Sequence, residues 1–381
     1  MKKKITYFVN DISFFKNHFL PVAIKAAEQF NVSIISDKVD LELEKAYPEL
    51  KQYSILIKRS SVNPFSDLLL FFKLRKLLNQ IKPDLIHNIT IKPILYGSLF
   101  SKFSHRKIKT INSVTGLGYA ITNNHLLIKT IMKSLIRLFV SKESYFLFLN
   151  RYDKKFYEDL GKVTAQNFKM IGGSGVDEKE FSFTQPIKKD KIEIVFTGRM
   201  LKDKGVIDLI KAMKLLDDAS KKDVVLKLYG AVDIQNPAHI KEDELKSQLI
   251  EGFIKWEGFT SDVKRTLQSA DIYCLPSFRE GLPKSTIEAM AIGRPIITTT
   301  APGCDDTVKE GFNGYKVKAG DSKELSKKLQ ELIENKELRI QMGKNSRELF
   351  LKNFTLEKVV SQTFELYNHL LSINITTTQS L

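Results

Sequence analysis

Short runs of β-branched and aromatic residues recur along the chain and alternate with longer segments of helical character. In the first half these runs are Ile5–Val9, Val32–Ile35, Ser54–Ile57, Leu85–His87, Ile108–Asn112, Tyr145–Leu149 and Lys169–Ile171. Strands that alternate with helices are typical of βαβ units, which build a parallel sheet with helices on both faces. The pattern therefore predicts a doubly wound α/β fold.

The alternation is interrupted once, by a polar, proline-containing segment at Phe181–Lys191. After it the pattern predicts strands at Ile192–Phe196, Val224–Tyr229, Ile272–Leu275, Pro295–Thr298 and Gly314–Val317, and helices at Val206–Leu215, Ser322–Asn335 and Leu356–Leu371. A chain of 381 residues is long enough for two domains. We therefore expect two facing Rossmann-like domains, residues 1–183 and 184–355, and a polar tail at 374–381. Parallel sheets bind ligands at the carboxyl ends of their strands, so the active site is expected in a cleft between the domains.

The segment Leu275–Gly303 has the order strand, loop, helix, loop, strand. Pro283 suits the first turn of this helix, and Ser285 would cap it. The backbone N–H groups from Gly281 and Leu282 onward would then form an anion site suited to phosphate.

Two carboxylates flank this helix start at a spacing of eight residues. Glu288, inside the helix, is placed to accept hydrogen bonds from a ribose diol. Glu280, before the helix, would face whatever is attached beyond the phosphates. A Glu pair taken alone is usually a pair of exposed charges, and the surrounding segment favours the functional interpretation.

A second motif lies in Phe196–Val206, where Gly198 and Arg199 follow a strand and Lys204 precedes a helix. Arginine and lysine at this spacing could both bind one diphosphate. Fixed cations would stabilise the charge that builds on a departing nucleoside diphosphate.

Both motifs resemble those of the retaining glycosyltransferases of sequence family 4, which have the two-domain GT-B fold. The family's E-x7-E corresponds to Glu280 and Glu288, and its R-x4-K to Arg199 and Lys204. Three further segments resemble the family in the same order, and these are Lys169–Asp177, Ala270–Leu275 and Ala301–Gly314.

The resemblance implies a role for each motif residue. Glu288 would bind the donor ribose, Arg199 and Lys204 would hold the diphosphate, and Glu280 would lie against the donor sugar as nucleophile or as positioning group. It also implies that the last helix, 356–373, completes the N-terminal domain.

The N-terminal half resembles the branch that builds bacterial O-antigens, capsules and protein-linked glycans on polyprenyl diphosphate. The matching segments are Phe8–His18, Asp84–Gly97 and Asn112–Thr122. This chain differs from many family members at three places. It has Asn10–Asp11 where they have paired glycines, Val114–Gly116 where they have a histidine, and Asp305 where they have an arginine.

Candidate residues on the acceptor side come from the same loops. His18 is expected to open a helix, and a Gly-x-Gly turn after a strand admits a ligand near the backbone. The set is Asp11, His18, Thr115, Gly116 and Tyr119. A single histidine such as His18 or His87 is more often a structural residue.

No metal or other cofactor is expected. The sequence contains no Asp-x-Asp, the carboxylate pair that commonly holds a divalent metal on a nucleotide sugar. Its two cysteines, Cys274 and Cys304, are not in a zinc-binding or disulfide spacing. We therefore expect the nucleotide sugar to be a substrate of a metal-independent enzyme.

The net charge of +16 is concentrated in residues 1–185, which carry +13. Such a field attracts nucleic acid or an anionic membrane surface. The basic, apolar segments Asp67–Lys82 and Asn123–Ser144 favour the membrane, and no nucleic-acid-binding module is recognisable. No stretch predicts a signal peptide or a membrane span. We therefore expect a cytoplasmic protein held peripherally at the cytoplasmic face of the inner membrane.

Together these features predict a retaining glycosyltransferase that moves a hexose or N-acetylhexosamine from a UDP-linked donor to a polyprenyl-diphosphate-linked saccharide with an α-linkage. The alternatives are a nucleotide-sugar epimerase or another GT-B enzyme that does not transfer to an acceptor, a non-catalytic homologue, and, more remotely, a basic nucleic-acid-binding protein.

Overall fold

The fold is described from a computed structural model of the chain. The described residues are 2–57, 64–117, 126–187 and 189–372, without the side chains of residues 64–67. They form two compact units: residues 1–174 with 357–381, and residues 175–356.

The first unit contains a seven-stranded parallel sheet in the order β3-β2-β1-β4-β5-β6-β7. Its strands are β1 (Lys4–Phe8), β2 (Asn31–Ser36), β3 (Leu50–Ser54), β4 (Leu85–Ile89), β5 (Lys109–Val114), β6 (Tyr145–Phe148) and β7 (Phe168–Met170). The predicted strand at Ser54–Ile57 is wrong. The strand ends at Ser54, while Ile55 and Ile57 are buried in the core without pairing in the sheet.

The helices of the first unit cover this sheet. They are α1 (Ile12–His18), α2 (Leu20–Ala27), α3 (Leu41–Ala46), α4 (Pro64–Ile81), α5 (Ile91–Lys102), α6 (Leu126–Phe139) and α7 (Arg151–Asp159). Side-chain oxygens of Asp11, Asp40 and Asn150 accept backbone N–H groups at the starts of α1, α3 and α7. Local sequence thus sets where these helices begin.

The second unit contains a six-stranded parallel sheet in the order β10-β9-β8-β11-β12-β13. Its strands are β8 (Ile192–Thr197), β9 (Val224–Tyr229), β10 (Ile254–Gly258), β11 (Ile272–Leu275), β12 (Ile296–Thr299) and β13 (Gly314–Val317). The sequence prediction omits β10. This edge strand alternates buried Ile254 with exposed Lys255, so it lacks the continuous apolar run of the central strands.

The helices of the second unit include several that the sequence prediction omits. They are α8 (Val206–Lys214), α9 (Asp218–Lys222), α10 (Glu242–Lys246), α11 (Val263–Ser269), α12 (Lys284–Ile292), α13 (Ser322–Glu334) and α14 (Lys336–Asn353). The omitted helices are α9, α10, α11 and the longest of them, α14. Its Gly343 is required by packing, because a Cβ there would lie 2.3 Å from the carbonyl oxygen of Gly293 at the end of α12.

The last helix, α15 (Leu356–Leu370), packs on the first unit from Glu357 onward. Leu366 and Tyr367 are buried in the core between β1, β4 and the early helices. Residues 373–381, which include the predicted polar tail, lie outside the described residues. Within the described ranges, no helix is both long and apolar enough to cross a membrane.

The units divide earlier than the predicted boundary at residue 183. Val176 and Phe181 are buried in the core of the second unit. The guanidinium of Arg294 donates to the carbonyl oxygen and hydroxyl of Thr184, and Arg347 donates to the carbonyl oxygen of Phe181. These bonds hold residues 176–184 on the second unit, so the first part of the segment predicted as a linker, from Phe181 to Thr184, belongs to that unit.

Candidate active site

The predicted donor-binding residues lie at the carboxyl ends of β8 and β11 in the second unit. Gly198 and Arg199 follow β8 directly, and Lys204 ends a 3₁₀ turn, Lys202–Lys204, before α8. The loop after β11 carries Glu280 and leads into α12. Because β8 and β11 are neighbours in the sheet, both motifs come to one edge.

The two loops are fastened to each other by backbone contacts. Gly205 has a φ of +72°, and a Cβ there would lie 2.1 Å from the carbonyl oxygen of Pro276. The carbonyl oxygen of Asp203 accepts hydrogen bonds from the hydroxyl of Ser277 and the backbone N–H of Phe278. Gly205 therefore permits a close approach that any other residue would block.

Both predicted diphosphate-binding cations are paired with carboxylates. Lys204 Nζ lies 2.5 Å from Glu280 Oε1, and these side chains are 21% and 12% exposed. Arg199 Nη1 lies 2.7 Å from Asp233 Oδ2, and the Arg199 side chain is 57% exposed. The structure thus brings Lys204 and Glu280 together and leaves Arg199 at the rim with a different partner.

The start of α12 differs from the predicted arrangement. Pro283 is the N-cap residue, and the helix begins at Lys284. Ser285 does not cap the helix, which corrects the prediction, because it lies inside the first turn and its Oγ accepts a 2.7 Å hydrogen bond from the hydroxyl of Tyr273. No side chain among the described residues caps this N-terminus.

The loop before α12 is held by the loop after β12. Glu280 donates its backbone N–H to the carbonyl oxygen of Pro302. Gly303 has a φ of +79°, and a Cβ there would lie 2.2 Å from the carbonyl oxygen of Glu280. Asp305, which stands where many family members have arginine, forms a 2.6 Å ion pair with Lys316.

Glu288 lies in α12 and is only 9% exposed. Burial raises the pKa of its carboxyl group to about 7, against a smaller lowering effect of Lys284. The Nζ of Lys284 is 3.9 Å from Glu288 Oε1, which is longer than a hydrogen bond.

Tyr273 is a residue that the sequence analysis did not single out. It is fully buried in β11, and its hydroxyl lies 3.2 Å from Thr197 Oγ1 as well as 2.7 Å from Ser285 Oγ. Burial raises the pKa of its phenol, so the hydroxyl stays protonated. In the sequence, a tyrosine within a strand cannot be told apart from an aromatic residue that only packs in the core. No sequence signal therefore indicated a role for Tyr273 in the site.

A cavity of about 440 Å³ lies at the carboxyl ends of β9 and β10. It is lined by Ala231, Val232, Ile234, His239, Lys241, Glu242, Trp256 and Phe259. The loop that contains Arg199 contacts the lining of this cavity, because the N–H of Met200 donates to the carbonyl oxygen of Ala231. The sequence analysis did not predict this cavity, because β10 itself was not predicted.

The candidate acceptor-side residues lie in the first unit. Asp11 caps α1 by accepting from the N–H of Phe14. His18 ends α1 rather than opening a helix, which corrects the prediction, and its ring lies 4.4 Å from that of Phe14. Thr115 and Gly116 follow β5, with Gly116 at a φ of +131°. Tyr119 lies outside the described residues.

His87 is a structural residue of the first unit. It is fully buried in β4, with Nδ1 2.7 Å from the hydroxyl of Tyr367 and Nε2 2.6 Å from Ser113 Oγ. Tyr367 in turn donates to the hydroxyl of Tyr7. Burial lowers the pKa of His87 to about 3, so the ring is neutral.

The described residues contain no group of three or more His, Cys, Asp or Glu side chains arranged to hold a metal ion. The cysteines Cys274 and Cys304 are both buried and unpaired. Burial raises the pKa of the Cys304 thiol to about 12.

Two family models match the chain, one in each unit. Residues 4–150 match the model for glycosyl transferase 4-like domains. Residues 177–349 match the model for glycosyl transferases group 1. Together the two matches cover most of the described chain.

Similar proteins have names that agree with these models. The chain is 28% identical over 329 residues to the N,N'-diacetylbacillosaminyl-diphospho-undecaprenol alpha-1,3-N-acetylgalactosaminyltransferase of Campylobacter jejuni, covering 82% of this chain and 84% of the relative. It is 23% identical to the UDP-Gal:alpha-D-GlcNAc-diphosphoundecaprenol alpha-1,3-galactosyltransferase of Escherichia coli, covering 89% of each.

Among solved structures, the chain is similar to Alr3699/HepE of Anabaena in complex with UDP. The TM-score is 0.77 at 18% identity, over 97% of this chain and 100% of that protein. This similarity supports the fold, and with the two sheets of parallel strands it confirms the predicted fold class. The chain therefore belongs to the GT-B glycosyltransferases, with a glycosyl transferase 4-like region in its first unit and a glycosyl transferase group 1 region in its second.

Proposed function

We propose that this glycosyltransferase is a retaining enzyme that transfers a hexose or N-acetylhexosamine from a UDP-linked donor to a polyprenyl-diphosphate-linked saccharide with an α-linkage. The observation that carries the proposal is one edge of the second sheet. There Lys204, Glu280 and the N-terminus of α12 meet, with Arg199 at the rim.

The diphosphate of the donor is assigned to the cations and the helix start. An uncapped helix N-terminus presents backbone N–H groups and a partial positive charge to an anion. Lys204 and Arg199 would exchange their carboxylate partners for phosphate oxygens. In the transition state the departing diphosphate gains negative charge, and fixed cations stabilise that state more than the ground state.

The nucleoside of the donor is assigned to Glu288 and the neighbouring cavity. The buried carboxyl group of Glu288 would accept hydrogen bonds from the ribose hydroxyls. Trp256 and Phe259 line the cavity beyond Arg199 and would contact a flat nucleobase. Aromatic and aliphatic walls next to cations fit a base attached to a diphosphate.

The transfer proceeds with retention of configuration. The bond from the anomeric carbon to the phosphate oxygen breaks, and the acceptor oxygen bonds to the same face of that carbon. The acceptor proton goes to the departing phosphate oxygen if attack is direct. If Glu280 is the nucleophile, its carboxylate bonds to the anomeric carbon as the diphosphate leaves. The acceptor oxygen then displaces this carboxylate in a second inversion, and the acceptor proton again goes to the diphosphate. Otherwise Glu280 positions the sugar; its Oε1 is bound to Lys204.

The acceptor assignment is supported by the relatives' names, which in two cases specify undecaprenyl-diphosphate-linked saccharides. We assign the acceptor to the first unit, with Asp11, His18, Thr115, Gly116 and Tyr119 as candidate contacts. The structure of the Anabaena neighbour with UDP supports a uridine nucleotide as the donor carrier.

We further propose that the first unit binds the anionic inner-membrane surface from the cytoplasmic side. In α6, Ile136 is buried, whereas Leu126, Leu127, Ile131 and Leu138 are 46 to 77% exposed. Lys129, Lys133 and Arg137 lie on the same helix. Apolar residues beside cations are typical of helices that lie in the headgroup region of an anionic bilayer.

A donor screen tests the proposal. The chain is incubated with UDP-Glc, UDP-Gal, UDP-GlcNAc, UDP-GalNAc or GDP-Man in EDTA, with and without a lipid-diphosphate-linked saccharide, and nucleotide release is followed. Release that requires one donor and the acceptor is expected. Loss of all turnover in EDTA that Mg²⁺ or Mn²⁺ restores would refute metal independence.

The same screen separates the alternative functions. Conversion of a donor without acceptor would favour an epimerase or another non-transferring GT-B enzyme. No turnover with any donor, together with tight nucleic-acid binding at physiological salt, would favour the remote alternative.

A further inference from the structure

We propose that Tyr273 is a positioning residue for the donor: its buried hydroxyl fixes the hydroxyl of Ser285 so that the Ser285 proton is offered to the diphosphate. The inference rests on the proposed function, since Ser285 meets a diphosphate only if the start of α12 binds the nucleotide.

Tyr273 connects the two elements that carry the donor motifs. It lies in β11, where its backbone pairs in register with Val195 of the neighbouring β8. Its hydroxyl reaches Thr197, the last residue of β8, at 3.2 Å, and Ser285 in the first turn of α12 at 2.7 Å. One buried phenol thus links the strand that leads to Arg199 with the helix that leads to Glu288.

The protons of this chain of hydroxyl groups can be arranged in either of two directions. Each of the three hydroxyls has one proton to donate. If Thr197 donates to Tyr273 and Tyr273 donates to Ser285, the proton of Ser285 is used in neither bond. Ser285 is half-buried, so this proton is accessible to a ligand at the helix start.

An anion selects that direction over the reverse. If Ser285 donated to Tyr273 instead, its lone pairs would face the phosphate oxygens and repel them. A hydroxyl that already accepts a hydrogen bond also donates a stronger one, because hydrogen bonds in a chain polarise each other. Tyr273 therefore acts on the donor through Ser285, without contact to the donor itself.

A double-mutant cycle on UDP affinity tests this inference in the full-length chain. Calorimetry is used to measure the Kd of UDP for the wild type, Tyr273→Phe, Ser285→Ala and the double variant. A hydrogen bond to a charged group predicts that each single substitution raises the Kd by about tenfold. The double variant is expected to match Ser285→Ala, because the two residues act in series.

Two further variants make the test specific. Tyr315→Phe removes another phenol of the same unit, one that donates to Glu331 rather than to the site, and is expected to leave the Kd unchanged. Thr197→Val removes the first hydroxyl of the chain and is expected to raise the Kd by about threefold. If Tyr273→Phe does not fold, the Kd values of Thr197→Val and Ser285→Ala together test the inference.

The outcomes separate this inference from the proposed function. Wild-type chain that binds no UDP overturns both. Wild-type chain that binds UDP, with Tyr273→Phe binding it equally well, overturns only the role of Tyr273. A lower melting temperature with unchanged Kd would show that the phenol is structural, and a double variant equal to the product of the singles would show that the residues act independently.

Discussion

The carboxyl edge of the second sheet and the interior of the first unit are built from different chemistry. The edge of the second sheet carries charged groups in pairs, Lys204 with Glu280 and Arg199 with Asp233. The interior of the first unit carries a buried neutral network instead, in which His87, in the middle of β4, joins Ser113 and Tyr367. Charged pairs can exchange partners with an anionic ligand, whereas a buried neutral network fixes the packing of elements.

This difference agrees with the proposed function, in which the second unit binds the donor and the first unit binds the acceptor. A UDP-linked donor has a diphosphate, so the second unit needs cations at fixed positions. The saccharide part of the proposed acceptor is largely neutral, so contacts with it do not require cations at fixed positions. The His87 network fastens α15 to the first unit and has no described contact with solvent.

The largest expected effect is the loss of a donor-site cation. Lys204→Ala is expected to lower kcat/KM by 10²- to 10³-fold, or about 3 kcal/mol, since it removes a fixed charge from the departing diphosphate. Arg199→Ala is also expected to lower kcat/KM. Lys202→Ala, in the same 3₁₀ turn but exposed to solvent, is the matched control. Steady-state kinetics checks this, and unchanged turnover in either cation variant would remove it from the site.

The next effect concerns the stability of the second unit. The folded-state pKa of Glu288, about 7, is above its ordinary value of 4.5. The folded state therefore holds the extra proton between these pH values, and its stability falls as pH rises through this window. Glu288→Gln is expected to be more stable than wild type at pH 8 by about 2 to 3 kcal/mol, and equal to it at pH 4.

Denaturant titration at both pH values measures this difference. Glu348→Gln, at an exposed position of α14, should leave the free energy of unfolding unchanged at both. Glu288→Gln should also weaken UDP binding, because an amide is a poorer acceptor for ribose hydroxyls than a carboxylate. Equal stability of Glu288→Gln and wild type at pH 8 would contradict the burial argument.

The first unit is expected to respond to pH in the opposite sense. Burial holds the pKa of His87 near 3, below its ordinary value of 6.5. The unfolded chain thus binds the extra proton between these values, and stability is lost as pH falls from 6.5 toward 3. His87→Gln should make the melting temperature of the first unit less dependent on pH in this window.

His105→Gln is the control for this experiment, since His105 is an exposed loop residue. A melting temperature of His87→Gln that falls with pH as steeply as that of wild type would show that other groups control acid unfolding. Tyr367→Phe removes the two bonds of its hydroxyl, to His87 and to Tyr7, and should cost about 2 kcal/mol.

The smallest expected effect is on membrane binding. Leu127→Ser in α6 is expected to weaken binding to vesicles of anionic phosphatidylglycerol about five- to tenfold, because a leucine is no longer inserted. Leu351→Ser changes an exposed leucine of the second unit and should have no effect. Co-sedimentation measures both. Equal binding to neutral phosphatidylcholine would argue against a role for the lysines of α6.

The contrast between these two regions also explains what could be predicted from the sequence. Lys204 and Glu280 belong to motifs with a fixed spacing, so the sequence predicted both, and the structure brings them within hydrogen-bond distance. Tyr273 has no such signal, because its role depends on Thr197 and Ser285, which are distant in sequence. Hydrogen bonds between buried neutral groups leave no pattern in a single sequence.

The errors in secondary structure have a similar cause. Strand β10 was omitted because its exposed positions carry Lys255 and Glu257 at the edge of the sheet. Helix α14 was omitted because it lacks a strong apolar face and contains Gly343, whose place is set by the backbone of Gly293. In each case the tertiary neighbour, and not the local sequence, decides the conformation.

The most direct test of the central claim is the anomeric configuration of the first product. Once a donor and a lipid-linked acceptor support turnover, NMR spectroscopy of the product formed from an α-linked UDP-sugar gives the configuration of the new bond. The account predicts an α-linkage, formed in EDTA and lost in Lys204→Ala. A β-linkage would contradict the retaining mechanism and the role assigned to the site around Glu280.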